Sequence, residues 1–158
     1  MAFLGNLIWF IFGGFLVGLL YLLGSIILFP LLPFLLPLVG YSFWPFGRQP
    51  VSKSAIDAYK KANNMETEED RFAKAGKIVK ILANTLWFVF GLLLAIIHIV
   101  AGILNLCLVV TVVLAPLGIA NGLAHFKMVR VALFPFGVKL ISTELAKDIL
   151  KEKAKSKL

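Results

Sequence analysis

The residues with the most chemical potential in this sequence lie inside a long apolar stretch, 81–126, which contains no charged residue. Asn84, Gly91, His98 and Asn105 are spaced seven residues apart there. On an α-helix this spacing drifts by only about 20° per heptad, so the four residues form one stripe. A polar group in hydrocarbon needs a partner or water. The stripe therefore predicts either a packing seam, in which amides and imidazole bond between helices beside small residues, or a water-filled pore lining.

Catalytic and metal chemistry find little support in the sequence. His98 has no second His, Cys or carboxylate at ligand spacing, and His125 is 27 residues away. No G-x-S-x-G, H-E-x-x-H or phosphate-binding glycine loop is present, and every acid lies outside the apolar stretches. Cys107 is the sole cysteine, so we interpret it as a small buried or lipid-facing hydrophobe. We expect neither an enzyme nor a cofactor.

The elements that position these residues come in two matching halves. Residues 4–13 read LGNLIWFIFG and residues 82–91 read LANTLWFVFG, with six of the ten positions identical. Each half closes on a similar signature, FWPFG at 43–47 and LFPFG at 133–137. This pattern predicts an internal duplication.

The repeated signatures place an asparagine three residues before a tryptophan near the start of each half. We interpret this pair as interfacial, with the indole in the aromatic belt and the amide bonding the exposed helix end. The signature residues are Asn6, Trp9, Trp87, Pro45, Phe46, Gly47, Pro135, Phe136 and Gly137.

Composition places the chain in a membrane. It is 60% hydrophobic with a mean hydropathy of +0.94, and its first 47 residues carry no charge. Both apolar stretches exceed the ~20 residues that cross a bilayer core. A cleaved signal peptide is not expected, because there is no basic n-region and residues 4–47 match a segment deep in the chain.

Charge distribution predicts the topology. The net charge is +8, and the basic residues fall in 48–80 and from Lys127 onward. Lys and Arg concentrate on the cytoplasmic side, so both regions are expected there. The simplest arrangement is an all-α fold of two helical hairpins, about four membrane-embedded helices, with both termini cytoplasmic. The return arm 30–45 is only about 22 Å long as helix and is broken by Pro30, Pro33 and Pro37, so it is tilted, partly extended or re-entrant.

This topology divides the chain into a first membrane repeat at 1–47, a basic cytoplasmic linker at 48–80, a second membrane repeat at 81–141 and a basic tail helix at 142–158. In the linker, Asn63-Asn64 predicts a turn and Thr67-Glu68 a helix start that continues into the second repeat. In the tail, Ser142 is the expected cap of a helix with an apolar side, made of Leu145, Ile149 and Leu150. These charged faces are either solvated or bound to anionic lipid headgroups. We expect no nucleic-acid partner.

Two further features have local interpretations. Lys127 and Arg130, near the middle of the second return arm, either snorkel to the headgroups or line an anion-attracting vestibule. Gly14 and Gly18 form a GxxxG pair that predicts close helix packing.

The paired N-x-x-W-x-x-x-G and P-F-G signatures, together with APLGIA at 115–120 and Phe126-Lys127, resemble the bacterial YccF family of small inner-membrane proteins. The resemblance covers 4–47 and 82–141. The turn departs from the I-G-I-P-x-G of that family, since residues 114–118 read LAPLG. The resemblance implies an inner-membrane location and a duplicated design, and it supplies no catalytic residues.

The sequence supports two functional hypotheses. The leading one is a homo-oligomer whose second-repeat helices surround an axis and form an ion channel or pore. The alternative is a non-conducting structural or accessory protein that binds lipid or a membrane partner. The stripe from Asn84 to Asn105 separates them, because it faces the axis in a channel and lies buried within the protomer in the alternative.

Overall fold

The computed structural model describes residues 2–65 and 73–155. The predicted helix start at Thr67-Glu68 lies outside these residues. The chain is predominantly helical, as expected, with one pair of strands. In order, the elements are α1 (Ala2–Trp9), a π-helical turn (Phe10–Gly14), α2 (Phe15–Ile27), a 3-10 turn (Phe29–Leu31), α3 (Leu32–Phe43), β1 (Arg48–Ser52), α4 (Lys53–Ala62), α5 (Ala73–Cys107), a 3-10 turn (Leu108–Thr111), α6 (Ala115–Leu133), β2 (Val138–Ser142) and α7 (Thr143–Lys155).

Two helical hairpins form the apolar body, α2 packed on α3 and α5 packed on α6. The spans Ala2–Ile27 and Gly76–Thr111 are long and apolar enough to cross a membrane, whereas Phe29–Phe43 is shorter. This shorter return arm is helical, with Pro37 inside α3. Large apolar side chains cover the outside of the hairpins. Such a surface suits contact with lipid tails, which make no demand for hydrogen bonds.

The first helix is kinked where the second is continuous. Phe12 and Gly13 leave helical geometry, and Gly13 has a φ of 134°, which L side chains rarely adopt. The matching Gly91 lies within the regular helix α5. The two hairpins therefore differ in shape despite their similar sequences.

Strands β1 and β2 pair in antiparallel register, Arg48 opposite Ser142 and Ser52 opposite Val138. The sequence analysis missed this ribbon, having placed 48–52 in the linker and 138–141 in a membrane repeat. Neither strand alternates clearly between apolar and polar residues, so the pairing depends on the helices that bring the strands together. Gly47 and Gly137 lead into the strands with φ values of 94° and 117°, which explains why both signatures end in glycine.

A small second core lies under the ribbon, where α4 packs on α7. It consists of Val51, Ala55, Ala146 and Ile149. Helices α4 and α7 begin with the same kind of serine cap. The Ser52 hydroxyl accepts from the Ala55 N–H, and the Ser142 hydroxyl accepts from the Leu145 N–H, each at 3.3 Å.

The tail helix α7 buries a different face from the one expected. Leu145 and Leu150 are 41% and 50% exposed, whereas Ile149 is buried beside Ala146. The predicted apolar side is therefore only partly correct, because α4 covers the face that carries Ala146 and Ile149. The predicted turn at Asn63-Asn64 is confirmed, with Asn64 at a φ of 52°.

Candidate functional site

The polar stripe of α5 lies inside the protomer. Gly91 and His98 are buried, while Asn84 and Asn105 are half-buried. A Cβ at Gly91 would collide with the carbonyl oxygen of Ala132 on α6. At the far end of the hairpin, a Cβ at Gly118 would lie 2.5 Å from the Asn105 carbonyl oxygen. The stripe thus lies where small residues bring the α5 and α6 backbones together, as in a packing seam.

His98 is the centre of a buried polar network that joins the two hairpins. Its Nε2 lies 3.2 Å from the Tyr21 hydroxyl of α2, and its Nδ1 lies 2.9 Å from Nδ1 of His125 on α6. The His125 ring also packs on the Trp9 ring, with centroids 4.3 Å apart. The sequence analysis did not predict this approach, since the two histidines are 27 residues apart. The small residues Gly118 and Gly122, which share the buried face of α6 with His125, were the signal it missed.

This network is suited to joining helices rather than to binding a metal. A 2.9 Å separation makes the two imidazole nitrogens a hydrogen-bonded pair, one donating and one accepting. Among residues 2–65 and 73–155, no group of three or more His, Cys, Asp or Glu side chains could hold a metal ion.

Each asparagine of the repeated signature clamps the chain that follows its own hairpin. Asn6 Nδ2 donates to the Phe46 carbonyl at 2.9 Å, and the Phe46 N–H donates back to Asn6 Oδ1 at 2.8 Å. Asn84 makes the same two bonds with Phe136, at 3.1 and 3.2 Å. The nitrogen and the oxygen of each amide are thus both used to fix a P-F-G segment against a helix, α1 for Asn6 and α5 for Asn84.

The interfacial interpretation of the tryptophans is wrong. Trp9 and Trp87 are 1% and 0% exposed. Their indole N–H groups donate to the carbonyls of Ser42 and Ala132, at 2.8 and 2.7 Å. These carbonyls belong to the last turns of α3 and α6, where the helix itself supplies no donor. The tryptophans therefore satisfy helix ends inside the protein instead of facing headgroups.

The GxxxG glycines also serve the interior of the first hairpin. Gly14 lies against the Trp9 ring and Gly18 lies against the Phe43 ring of α3, and neither leaves room for a Cβ. The expected close packing is therefore present, and it lies within the protomer.

Lys127 and Arg130 are exposed near the end of α6, at two different cavities beside the ribbon. Lys127 lines a cavity of about 470 Å³, named here the Lys127 cavity, together with Arg48 and Glu144. Arg130 lines one of about 370 Å³, named the Arg130 cavity, together with Lys80. The sequence analysis singled out neither Arg48 nor Lys80, because their proximity to α6 depends on the closing of the hairpins.

Comparison with known proteins points to one family. Residues 82–138 match the family model YccF, described as an inner membrane component domain. The chain is 31% identical over 147 residues to "Inner membrane protein YccF" of Escherichia coli (strain K12), covering 89% of this chain and 88% of that protein. A protein of the same name from Shigella flexneri matches equally well. No solved structure matches the chain.

Proposed function

Because the chain belongs to the YccF family of inner membrane proteins, we propose that it is a non-conducting accessory protein of that membrane whose basic end binds anionic lipid headgroups. The basic end comprises β1, β2, α4, α7 and the helix termini beside them. In this proposal the hairpins contribute four membrane-embedded helices, and the basic end and both termini face the cytoplasm. No catalytic step is assigned to any residue.

The observation that carries the proposal is the position of the stripe. A pore at an oligomer axis would require the polar face of α5 to point away from its own protomer. That face instead packs on α6, and His98 has the partners Tyr21 and His125 within one chain. The opposite faces of α5 carry exposed apolar residues such as Val89 and Val100, which suit lipid and would not hydrate a conduit.

The placement of charge and chain ends supports the orientation. The Asn6 and Asn84 clamps hold α1 and the first half of α5 beside the ends of α3 and α6, so these parts of the four helices lie next to the ribbon. The basic residues of α4, α6 and α7 lie at this same end. Since Lys and Arg concentrate on the cytoplasmic side, the basic end is expected there. The matching clamps, caps and strand positions also support the proposal that the chain arose by duplication.

Ion flux in liposomes tests the non-conducting assignment. We expect purified protein, reconstituted at defined density, to pass no more monovalent cation or anion than empty liposomes across a range of voltages and pH. Gramicidin liposomes supply the positive control. Val100→Leu changes the lipid-facing side of α5 and is the control variant. Ion flux in the wild type that persists in Val100→Leu and falls in His98→Leu would overturn the proposal. Size-exclusion profiles of both variants would confirm that they remain assembled.

A further inference from the structure

The Arg130 cavity brings cations and hydroxyls from three elements to one place. Lys80 comes from the start of α5, Arg130 from the last turn of α6, and Ser52 and Ser54 from the start of α4. Asn84 lies between them, already bound to the Phe136 backbone. A cavity of about 370 Å³ is within the range of small-ligand sites.

Charge distinguishes this cavity from its neighbour. The Lys127 cavity has two cations, Arg48 and Lys127, and includes the carboxylate of Glu144. The Arg130 cavity has two cations and no carboxylate among its described lining residues. Ser54 follows its P-F-G signature at the same distance as Glu144 follows the second one. The positive potential of the Arg130 cavity is therefore not offset by a carboxylate, whereas Glu144 offsets that of the Lys127 cavity.

Local geometry favours an anion in this cavity. The ten-residue helix α4 begins there, so its first N–H groups and the positive end of its dipole lie at the cavity wall. The Ser54 hydroxyl already donates to that of Ser52 at 3.3 Å. Gly137 leaves room for Lys80, because the end of the lysine side chain occupies the space that a Cβ at Gly137 would need.

We propose that the Arg130 cavity binds the phosphate group of an anionic ligand, with Arg130 and Lys80 as its cationic partners. The Ser52 hydroxyl, which accepts from Ser54 and from the Ala55 N–H and keeps its own O–H, is the hydroxyl donor. Guanidinium groups bind phosphate through two parallel bonds, while lysine adds a point charge. The phosphate could belong to a lipid headgroup or to a soluble phosphate compound. The lipid form of this inference rests on the proposed headgroup-binding function.

The test uses intact protein in nanodiscs and measures anion binding in two arms. The first arm measures enrichment of phosphatidylglycerol over phosphatidylcholine around the protein, and the second measures binding of glycerol 3-phosphate in phosphatidylcholine nanodiscs. We expect the double variant Lys80→Gln/Arg130→Gln to weaken binding about tenfold or more, since bonds to charged groups are among the strongest. The matched control Arg48→Gln/Lys127→Gln removes two charges from the Lys127 cavity and should change binding less than about twofold.

A second variant tests whether misfolding, and not the loss of charge, weakens anion binding in the double variant. Ser54→Glu places in this cavity the acid that the Lys127 cavity already has. Ser54 is exposed in the first turn of α4, where an acid stabilises a helix, so thermal stability should hold while anion binding is lost.

The outcomes separate the two proposals. An equal loss of anion binding in the two double variants would overturn the cavity assignment, and so would undiminished anion binding in Ser54→Glu. Lipid enrichment that is unchanged in Lys80→Gln/Arg130→Gln would also overturn the cavity assignment. Headgroup binding by the basic end would then remain supported. Glycerol 3-phosphate binding that depends on Lys80 and Arg130, without lipid enrichment, would support the cavity with a soluble ligand and overturn the proposed headgroup function.

Discussion

At the scale of single residues, several polar and aromatic side chains of the described chain bond backbone groups far away in the sequence and so hold its segments together. Asn6 and Asn84 each bond both backbone groups of a phenylalanine, and Trp9 and Trp87 each satisfy a carbonyl at a helix end. Their types were visible in the sequence. Their partners were not, because those partners are backbone groups more than thirty residues away, and backbone groups carry no sequence signal. The interfacial interpretation failed for this reason.

The amide clamps should be measurable as stability. Asn6→Leu removes two hydrogen bonds and leaves the Phe46 N–H and carbonyl without their partner, so we expect a loss of about 2–4 kcal/mol in the free energy of unfolding. Thr85→Ala is the control, because the exposed Thr85 hydroxyl bonds only its own helix, at Ile81. Thermal unfolding in detergent, followed by circular dichroism, compares the two. Equal stability of the two variants would contradict the clamp.

At the scale of elements, helices and strands differed in how far the sequence revealed them. Long uncharged runs predicted the long apolar helices, because apolar length is itself the signal for a membrane helix. The β1–β2 ribbon could not be predicted from the sequence, since these five-residue strands pair only when the two hairpins bring them side by side. The packing of α4 on α7 follows from the same closure.

Close approach of α5 to α6 predicts a contrast between two glycine substitutions. Gly91→Ala would force its Cβ into the Ala132 carbonyl, which belongs to the backbone and cannot turn away. We expect a lower unfolding temperature and weaker hairpin packing. Gly40→Ala in α3 meets no atom within 4 Å and should be neutral or stabilising by up to about 1 kcal/mol, because alanine favours helix. Differential scanning fluorimetry of both variants checks this, and an equal response would refute the packing argument.

At the scale of the whole molecule, the distribution of charge is the basis of our proposal that the two ends face opposite sides of the membrane. The basic end carries Lys61, and the opposite tip of the second hairpin carries Val110, which is 86% exposed. The sequence alone leads to this proposal, since the rule depends on counts of Lys and Arg and not on detailed geometry. It was insufficient for the cavities, which require the ends of several helices to meet.

Cysteine labelling tests the orientation. In a Cys107→Ala background, we expect an impermeant maleimide added to intact cells to label Val110→Cys and to spare Lys61→Cys until the membrane is broken. Labelling of a denatured sample shows that each cysteine is reactive. Modification of Lys61→Cys in unbroken cells would invert the orientation and, with it, the headgroups available to the basic end.

The register of the ribbon makes its edge self-complementary. Pro50 lies opposite Leu140, and these two residues hold the same place after their respective P-F-G signatures. Arg48 pairs with Ser142, and its counterpart Val138 pairs with Ser52. Two identical copies of a protein that paired such strands about a twofold axis would show the same register. If the chain arose by duplication, as proposed above, its two halves pair across the ribbon as the subunits of a homodimer would, and they differ in that the kinked helix lies in the first half and the histidine pair in the second.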